Sequence, residues 1–107
     1  KKVDGRIDWK RRAQEIYNRM RGFTPWPGSY STFRGQTCHL WGRPETRGAA
    51  GEQIAPGELI PSTKEIYVVC GEGSFLRLES VQIEGRKKIS AREFANGARL
   101  GPAERFV

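Results

Sequence analysis

The sequence has 107 residues, 36% of them hydrophobic, with 19 Lys and Arg against 12 Asp and Glu, a formal net charge of +7. That length supports one domain with one modest core, and eleven aromatic side chains (three Trp, three Tyr, five Phe) argue against a disordered chain. No apolar run approaches the ~20 residues of a membrane span, the N-terminus KKVDGRIDWK holds no signal-peptide core, and two cysteines with one histidine can neither staple a scaffold nor close a four-ligand zinc site. A soluble, cytoplasmic, basic domain without a metal is the expectation.

The charge is unevenly placed. Residues 1–23 carry eight cations (Lys1, Lys2, Arg6, Lys10, Arg11, Arg12, Arg19 and Arg21) against Asp4, Asp8 and Glu15, whereas the remaining 84 residues hold 11 positive and 9 negative charges. A second basic cluster stands at Arg86-Lys87-Lys88. Such asymmetry favours a polyanionic partner, because each phosphate neutralised releases condensed counterions; surface cations that only keep a small domain soluble are the alternative.

In chain order, Lys1–Ile7 reads as a basic linker with Gly5 and no periodicity, and residues 8–107 as the domain. Asp8 is the expected N-cap of a helix from Trp9 to Arg21, stopped by Gly22. Its apolar residues Trp9, Ala13, Ile16, Tyr17 and Met20 fall on one arc, a core-facing stripe with cations on its flanks. Phe23-Thr24-Pro25-Trp26-Pro27-Gly28 admits neither helix nor central strand, and an aromatic framed by prolines suits a stiff corner. Ser29–Arg34 and Thr37–Arg43 read as a hairpin around Gly35-Gln36, and Pro44–Ala55 as a loop.

Short strands follow at Glu58–Ile60 and Ile66–Cys70, then a longer one from Ser74 to Glu84. In that strand Phe75, Arg77, Glu79 and Val81 alternate against Leu76, Leu78, Ser80 and Gln82, so one face changes character midway, which points to a bulge or to a strand shared between two sheets. Ser90-Ala91-Arg92-Glu93 is a capping box, with Ile89 and Phe94 at the staple positions, opening a short helix that ends near Gly97. Five to six short strands with a helix near each end predict a mainly β fold, a small antiparallel barrel.

Catalytic chemistry is not found. His39 stands beside Cys38 in a predicted strand, where neighbouring side chains point to opposite faces and cannot form a nucleophile–base pair. Cys38 and Cys70 read as buried free thiols. The glutamates are scattered without a spacing that promises an acid–base pocket, and Gly71-Glu72-Gly73 lacks the following helix of a phosphate-binding loop. No catalytic residue is assigned.

The residues also carry a resemblance. Ile7-Asp8-Trp9, a helix with Ile16 and Asn18, and Arg21-Gly22-Phe23-x-Pro25-Trp26-Pro27-Gly28 resemble the start of the C-terminal domain of methionyl-tRNA formyltransferases. Pro56-Gly57-Glu58, Val69-Cys70-Gly71-Glu72-Gly73, Val81-Gln82-x-Glu84-Gly85-Arg86-Lys87 and Phe94…Gly97-x-Arg99-Leu100 extend the likeness over nearly the whole chain. The Arg-Gly-x-x-Pro-Trp-Pro-Gly run is its most specific part. The resemblance implies an OB-like barrel joined through a basic linker to a Rossmann-type catalytic domain. That domain, with its Asn, His and Asp residues and its 10-formyltetrahydrofolate pocket, would lie outside this chain, which would hold no cofactor of its own. The implied partners are initiator methionyl-tRNA and the enzyme's own N-terminal catalytic domain, with no membrane, in a monomer serving translation initiation.

The tRNA-binding candidates are Lys1, Lys2, Arg12, Arg19, Arg21, Arg34, Arg86, Lys87 and Lys88; Trp9, Pro25, Trp26, Pro27 and Gly28 form the structural motif. Lys10 stands where the family often has a serine cap, which shifts the expected cap to Asp8. Two alternatives stay open: the accessory domain of a formyltransferase-family enzyme acting on nucleotide sugars or on formyl-folate, and a purely structural packing module.

Overall fold

The structure, a computed structural model, describes residues 6–23, 29–45, 55–61, 65–99 and 104–106. Its elements in order are α1 (Ala13–Phe23), β1 (Tyr30–Phe33), β2 (Gln36–Glu45), β3 (Leu59–Pro61), β4 (Ile66–Val69), β5 (Phe75–Ile83), β6 (Ile89–Ser90) and α2 (Ala91–Ala98). The fold is mainly β. The strands form one antiparallel sheet in the order β1-β2-β5-β4-β3, with β6 paired to the far half of β5. The sheet curls into a half-barrel, and residues 104–106 join its two free edges. Phe106 bridges Phe33 of β1 and Arg105 bridges Glu58 beside β3. The N–H of Leu59 donates to the carbonyl of Glu104, and that of Phe106 to the carbonyl of Gly57, each at 2.8 Å.

The core fills this curl. Trp9, Ile16, Met20, Phe33, Cys38, Leu40, Val68, Leu76, Leu78, Val81, Phe94 and Phe106 are all buried in one cluster. The Trp9 indole N–H donates to Ser31 Oγ at 3.0 Å, so its polar handle is satisfied within the core. The core begins at Ile7, which is buried and donates its N–H to the Tyr30 carbonyl at 2.9 Å.

The expected mid-strand change in β5 is a bulge. Trp41 pairs with Ser80 and Gly42 with Leu78, so Glu79 is the extra residue, and the core-facing set shifts from Leu76 and Leu78 to Val81. A Cβ at Gly42 would lie 2.6 Å from the Arg77 carbonyl oxygen, which explains the glycine opposite the bulge.

Other boundaries differ from the sequence expectation. The first helix starts at Ala13 instead of Trp9 and runs through Gly22 to Phe23. Residues 8–11 form a turn in which Asp8 Oδ1 accepts the Lys10 N–H at 3.1 Å, so Asp8 caps that turn and not α1. The helix is capped from afar, by Ser74 Oγ accepting the Ala13 N–H at 2.9 Å. The hairpin turns on Arg34-Gly35 and not Gly35-Gln36, since Phe33 pairs with Gln36. Both turn residues have positive φ, 50° and 83°, the twist-matched two-residue turn. β2 continues through Pro44 to Glu45 because Leu76 and Phe75 of β5 supply partners there. The capping box at Ser90 and Glu93 forms as expected, but the left-handed C-cap is Arg99, φ 52°, with Gly97 inside the helix.

Candidate nucleic-acid interface

Cations that hold a polyanion must be exposed and not already neutralised. Nine basic residues were candidates on sequence. Lys1 and Lys2 lie outside the described residues, as does the corner Pro25, Trp26, Pro27 and Gly28.

Arg12, just before α1, and Arg19 and Arg21 on it are exposed. The Arg12 guanidinium sits 4.0 Å from Glu15 Oε1, and the same carboxylate oxygen accepts the Arg12 N–H at 3.3 Å. Arg21 donates to Asn18 Oδ1 at 2.8 Å and lies over the Tyr17 ring, 5.1 Å from its centroid. Arg19 borders a shallow recess with Arg6, Asp8 and Arg11. The cations on and beside α1 are therefore partly engaged locally.

Arg34 is engaged more fully. From the β1–β2 turn it forms a two-pronged pair with Glu104, Nε to Oε1 and Nη2 to Oε2, while its guanidinium stacks 4.9 Å from the Phe33 ring centroid. The hydrogen bond from Glu104 holds the guanidinium pKa above its ordinary value. This pair ties the hairpin turn to the segment that closes the barrel.

The connection between β5 and β6 behaves differently. The Arg86 N–H donates to the Ile83 carbonyl at 2.8 Å and Gln82 Nε2 donates to the Arg86 carbonyl at 2.9 Å, which fixes the backbone of the turn. Arg86, Lys87 and Lys88 all project into solvent from it. Among the described residues no carboxylate lies within ion-pair distance of any of the three. Lys88 Nζ rests 4.2 Å from the Trp41 ring centroid, a contact that orders the ammonium without cancelling its charge. Arg34, Arg86 and Lys87 share the rim of one groove between the β1–β2 turn, this connection and α2. The recess that Arg19 borders is a separate one, lined by Arg6, Asp8 and Arg11.

Sequence reasoning did not single out Arg43 and Arg77. On the outer face across β2 and β5, Arg43 Nε meets Glu79 Oε2 at 3.1 Å, and Arg77 reaches Glu45 at 3.6 Å and Glu79 at 3.9 Å. These cations are balanced by carboxylates and add little net field. The i, i+2 spacing of cation and carboxylate in each strand, Arg43 and Glu45 in β2 and Arg77 and Glu79 in β5, was the available signal.

The described residues offer no reactive centre. Cys38 is buried and His39 is half-buried, its ring edge-on to Tyr30 at 6.3 Å. Burial pushes both the Cys38 and Cys70 thiols up to about 12, far from thiolate chemistry at neutral pH. Gly71–Gly73 is a single tight turn leading into β5. No group of three His, Cys, Asp or Glu side chains among the described residues could hold a metal ion, and no described helix is long and apolar enough to cross a membrane.

The comparisons with known proteins agree with the resemblance read from the sequence. Over 107 residues the chain is 51% identical to a methionyl-tRNA formyltransferase of Solibacter usitatus and 48% identical to one of Geobacter metallireducens. A third relative of the same name, from Koribacter versatilis, is 42% identical over 106 residues. Each alignment covers 99% of this chain and 33% of the relative, so the chain spans about a third of the length of the proteins it matches. The family model for the formyl transferase C-terminal domain matches residues 1–99, and the chain belongs to that family.

Proposed function

We propose that this chain is the tRNA-docking domain of a methionyl-tRNA formyltransferase. It holds initiator methionyl-tRNA by its backbone, so that the aminoacyl end reaches a catalytic domain outside this chain. Formyl transfer from 10-formyltetrahydrofolate belongs to that domain, in a cytoplasmic, monomeric enzyme. The described residues supply affinity and orientation and no proton transfer or nucleophile.

The observation that carries this reading is the β5–β6 connection, three consecutive exposed cations without carboxylate partners among the described residues. Each phosphate they neutralise releases condensed counterions, a favourable and sequence-independent contribution. The names of the relatives, methionyl-tRNA formyltransferases, support the choice of tRNA over other polyanions. The accessory-domain alternative predicts no preference for tRNA, and the packing-module alternative predicts no polyanion binding.

Filter binding of initiator methionyl-tRNA across a salt series tests it. With three or four phosphates engaged, affinity falls roughly 50- to 150-fold between about 50 and about 200 mM salt. A flat salt response, or no binding at the low-salt end, contradicts the reading.

A further inference from the structure

The groove beside α2 has a chemistry that phosphate binding does not explain. Its volume is about 560 Å³, within the range of roughly 300–1,000 Å³ of ligand pockets. Ile83, Ile89 and Ala98 are its half-buried apolar lining. The two aromatic rings beneath, Phe33 and Phe94, are 3% and 2% exposed and pack edge to face against each other at 5.0 Å. No ring plane is free for a nucleobase to stack on, the usual requirement for taking up an unpaired base. The lining therefore suits aliphatic side chains.

The rim adds charge. Arg34 is held by Glu104, and the Glu93 carboxylate accepts the Ser90 N–H at 3.0 Å. Arg86 and Lys87 have no carboxylate partner among the described residues, and against the single remaining carboxylate of Glu93 they leave the rim net positive. The α2 wall is open at Gly97, where a Cβ would meet nothing within 4 Å. A glycine there lets a partner backbone approach the helix closely.

We propose that this groove docks an acidic, aliphatic segment of a protein partner, its apolar side chains entering over Ile83, Ile89 and Ala98 and its carboxylates meeting Arg86 and Lys87. Occupancy of the groove does not depend on the tRNA reading. Only a corollary rests on it: the segment and tRNA compete, because Arg86 and Lys87 serve both.

The probe is a synthetic amphipathic peptide of leucine and glutamate, with its leucine–lysine counterpart as control, titrated into the isotopically labelled chain. The expected result is amide shifts at Ile83, Ile89, Gly97 and Ala98 with the acidic peptide, and binding at least about tenfold weaker for the lysine peptide. Gly97→Trp fills the groove from an exposed helix position without touching the core, and Arg86→Glu with Lys87→Glu reverses the rim. Each weakens the acidic peptide by about tenfold or more, while Gly97→Trp does not lower the thermal midpoint. Absence of these shifts at millimolar peptide, or equal affinity in Gly97→Trp, overturns the proposal. So do groove shifts produced by a single-stranded RNA oligonucleotide, or by raising the concentration of the chain alone, which would make the occupant a nucleic acid or a second copy. A parent chain that binds the acidic peptide in the groove but binds no tRNA at low salt would remove the tRNA reading and leave the groove assigned.

Discussion

The rings of Trp9 and Phe106 stack with centroids 5.7 Å apart and planes 16° from parallel. This one contact joins the turn before α1 to the segment that closes the barrel. Phe106 is fully buried and packs also against Phe33, at 5.6 Å, and Phe94, at 6.2 Å. Phe106→Ala removes three ring contacts and loosens both sheet edges. The expected cost is about 3–5 kcal/mol, a large share of the ~5–15 kcal/mol of a typical domain. A urea midpoint equal to that of the parent would mean that residues 104–106 do not close the fold.

Two glycines are expected to answer alanine with opposite signs. At Gly71 an added Cβ would fall 1.8 Å from the carbonyl oxygen of Lys10, backbone against backbone, where the Gly71 N–H donates to the Arg11 carbonyl at 2.8 Å. Gly71→Ala must push the turn before α1 away from β5 and is expected to destabilise strongly. Gly97 sits inside α2 with open space around it, so Gly97→Ala removes only the entropic penalty of glycine and stabilises by about 0.5–1 kcal/mol. Thermal melts of the two variants check both signs.

The helix caps give a matched pair. Ser74 Oγ accepts the Ala13 N–H and donates to the Gly71 carbonyl at 2.7 Å, linking α1 to the turn before β5. Ser90 Oγ accepts the Glu93 N–H at 3.1 Å within α2 itself. Each serine-to-alanine change is expected to cost about 0.5–2 kcal/mol, with Ser74→Ala toward the upper end because it breaks a second bond. Denaturant unfolding of the two variants ranks them, and an unaffected Ser74→Ala would remove the long-range cap.

Local rules were legible where the chemistry is local. The capping box at Ser90 and Glu93 and the mid-strand change of face in β5 follow from neighbouring residues, whereas placing the bulge at Glu79 needs the register against β2. The start of α1 was not legible, because its cap is Ser74, 61 residues away. The hairpin register was missed because Arg34, a residue that rarely takes positive φ, occupies the first turn position. Residues 104–106 have no periodicity to read, yet they close the sheet. At the candidate site the cations themselves were visible, but their neutralisation was not: Glu104 is 70 residues from Arg34. The groove joins three separate segments, so no window of sequence displays it.

The buried thiols make stability depend on alkaline pH. Cys38 and Cys70 are free and buried, and each has its pKa raised by burial from 9.0 to about 12. The unfolded chain loses these protons first, so the contribution is fully present below about pH 9 and falls as pH rises toward about 12. Within that window each thiol is expected to cost about 1.4 kcal/mol per pH unit. Cys70→Ala should flatten the decline in denaturant midpoint by about half relative to the parent, after correction for its lower starting stability. Identical slopes would mean that the thiols ionise in place.

Electrostatic docking through the β5–β6 connection is tested most directly by the salt dependence of initiator methionyl-tRNA binding to the parent chain and to Lys87→Glu/Lys88→Glu. Log affinity falls linearly with log salt, at about −0.9 per phosphate neutralised on a duplex backbone. Removing two contacts is expected to reduce the slope by about 1.8 and to weaken all tRNAs alike, since backbone contacts carry no sequence information. A double variant with the slope and affinity of the parent would contradict the assignment of this surface to tRNA.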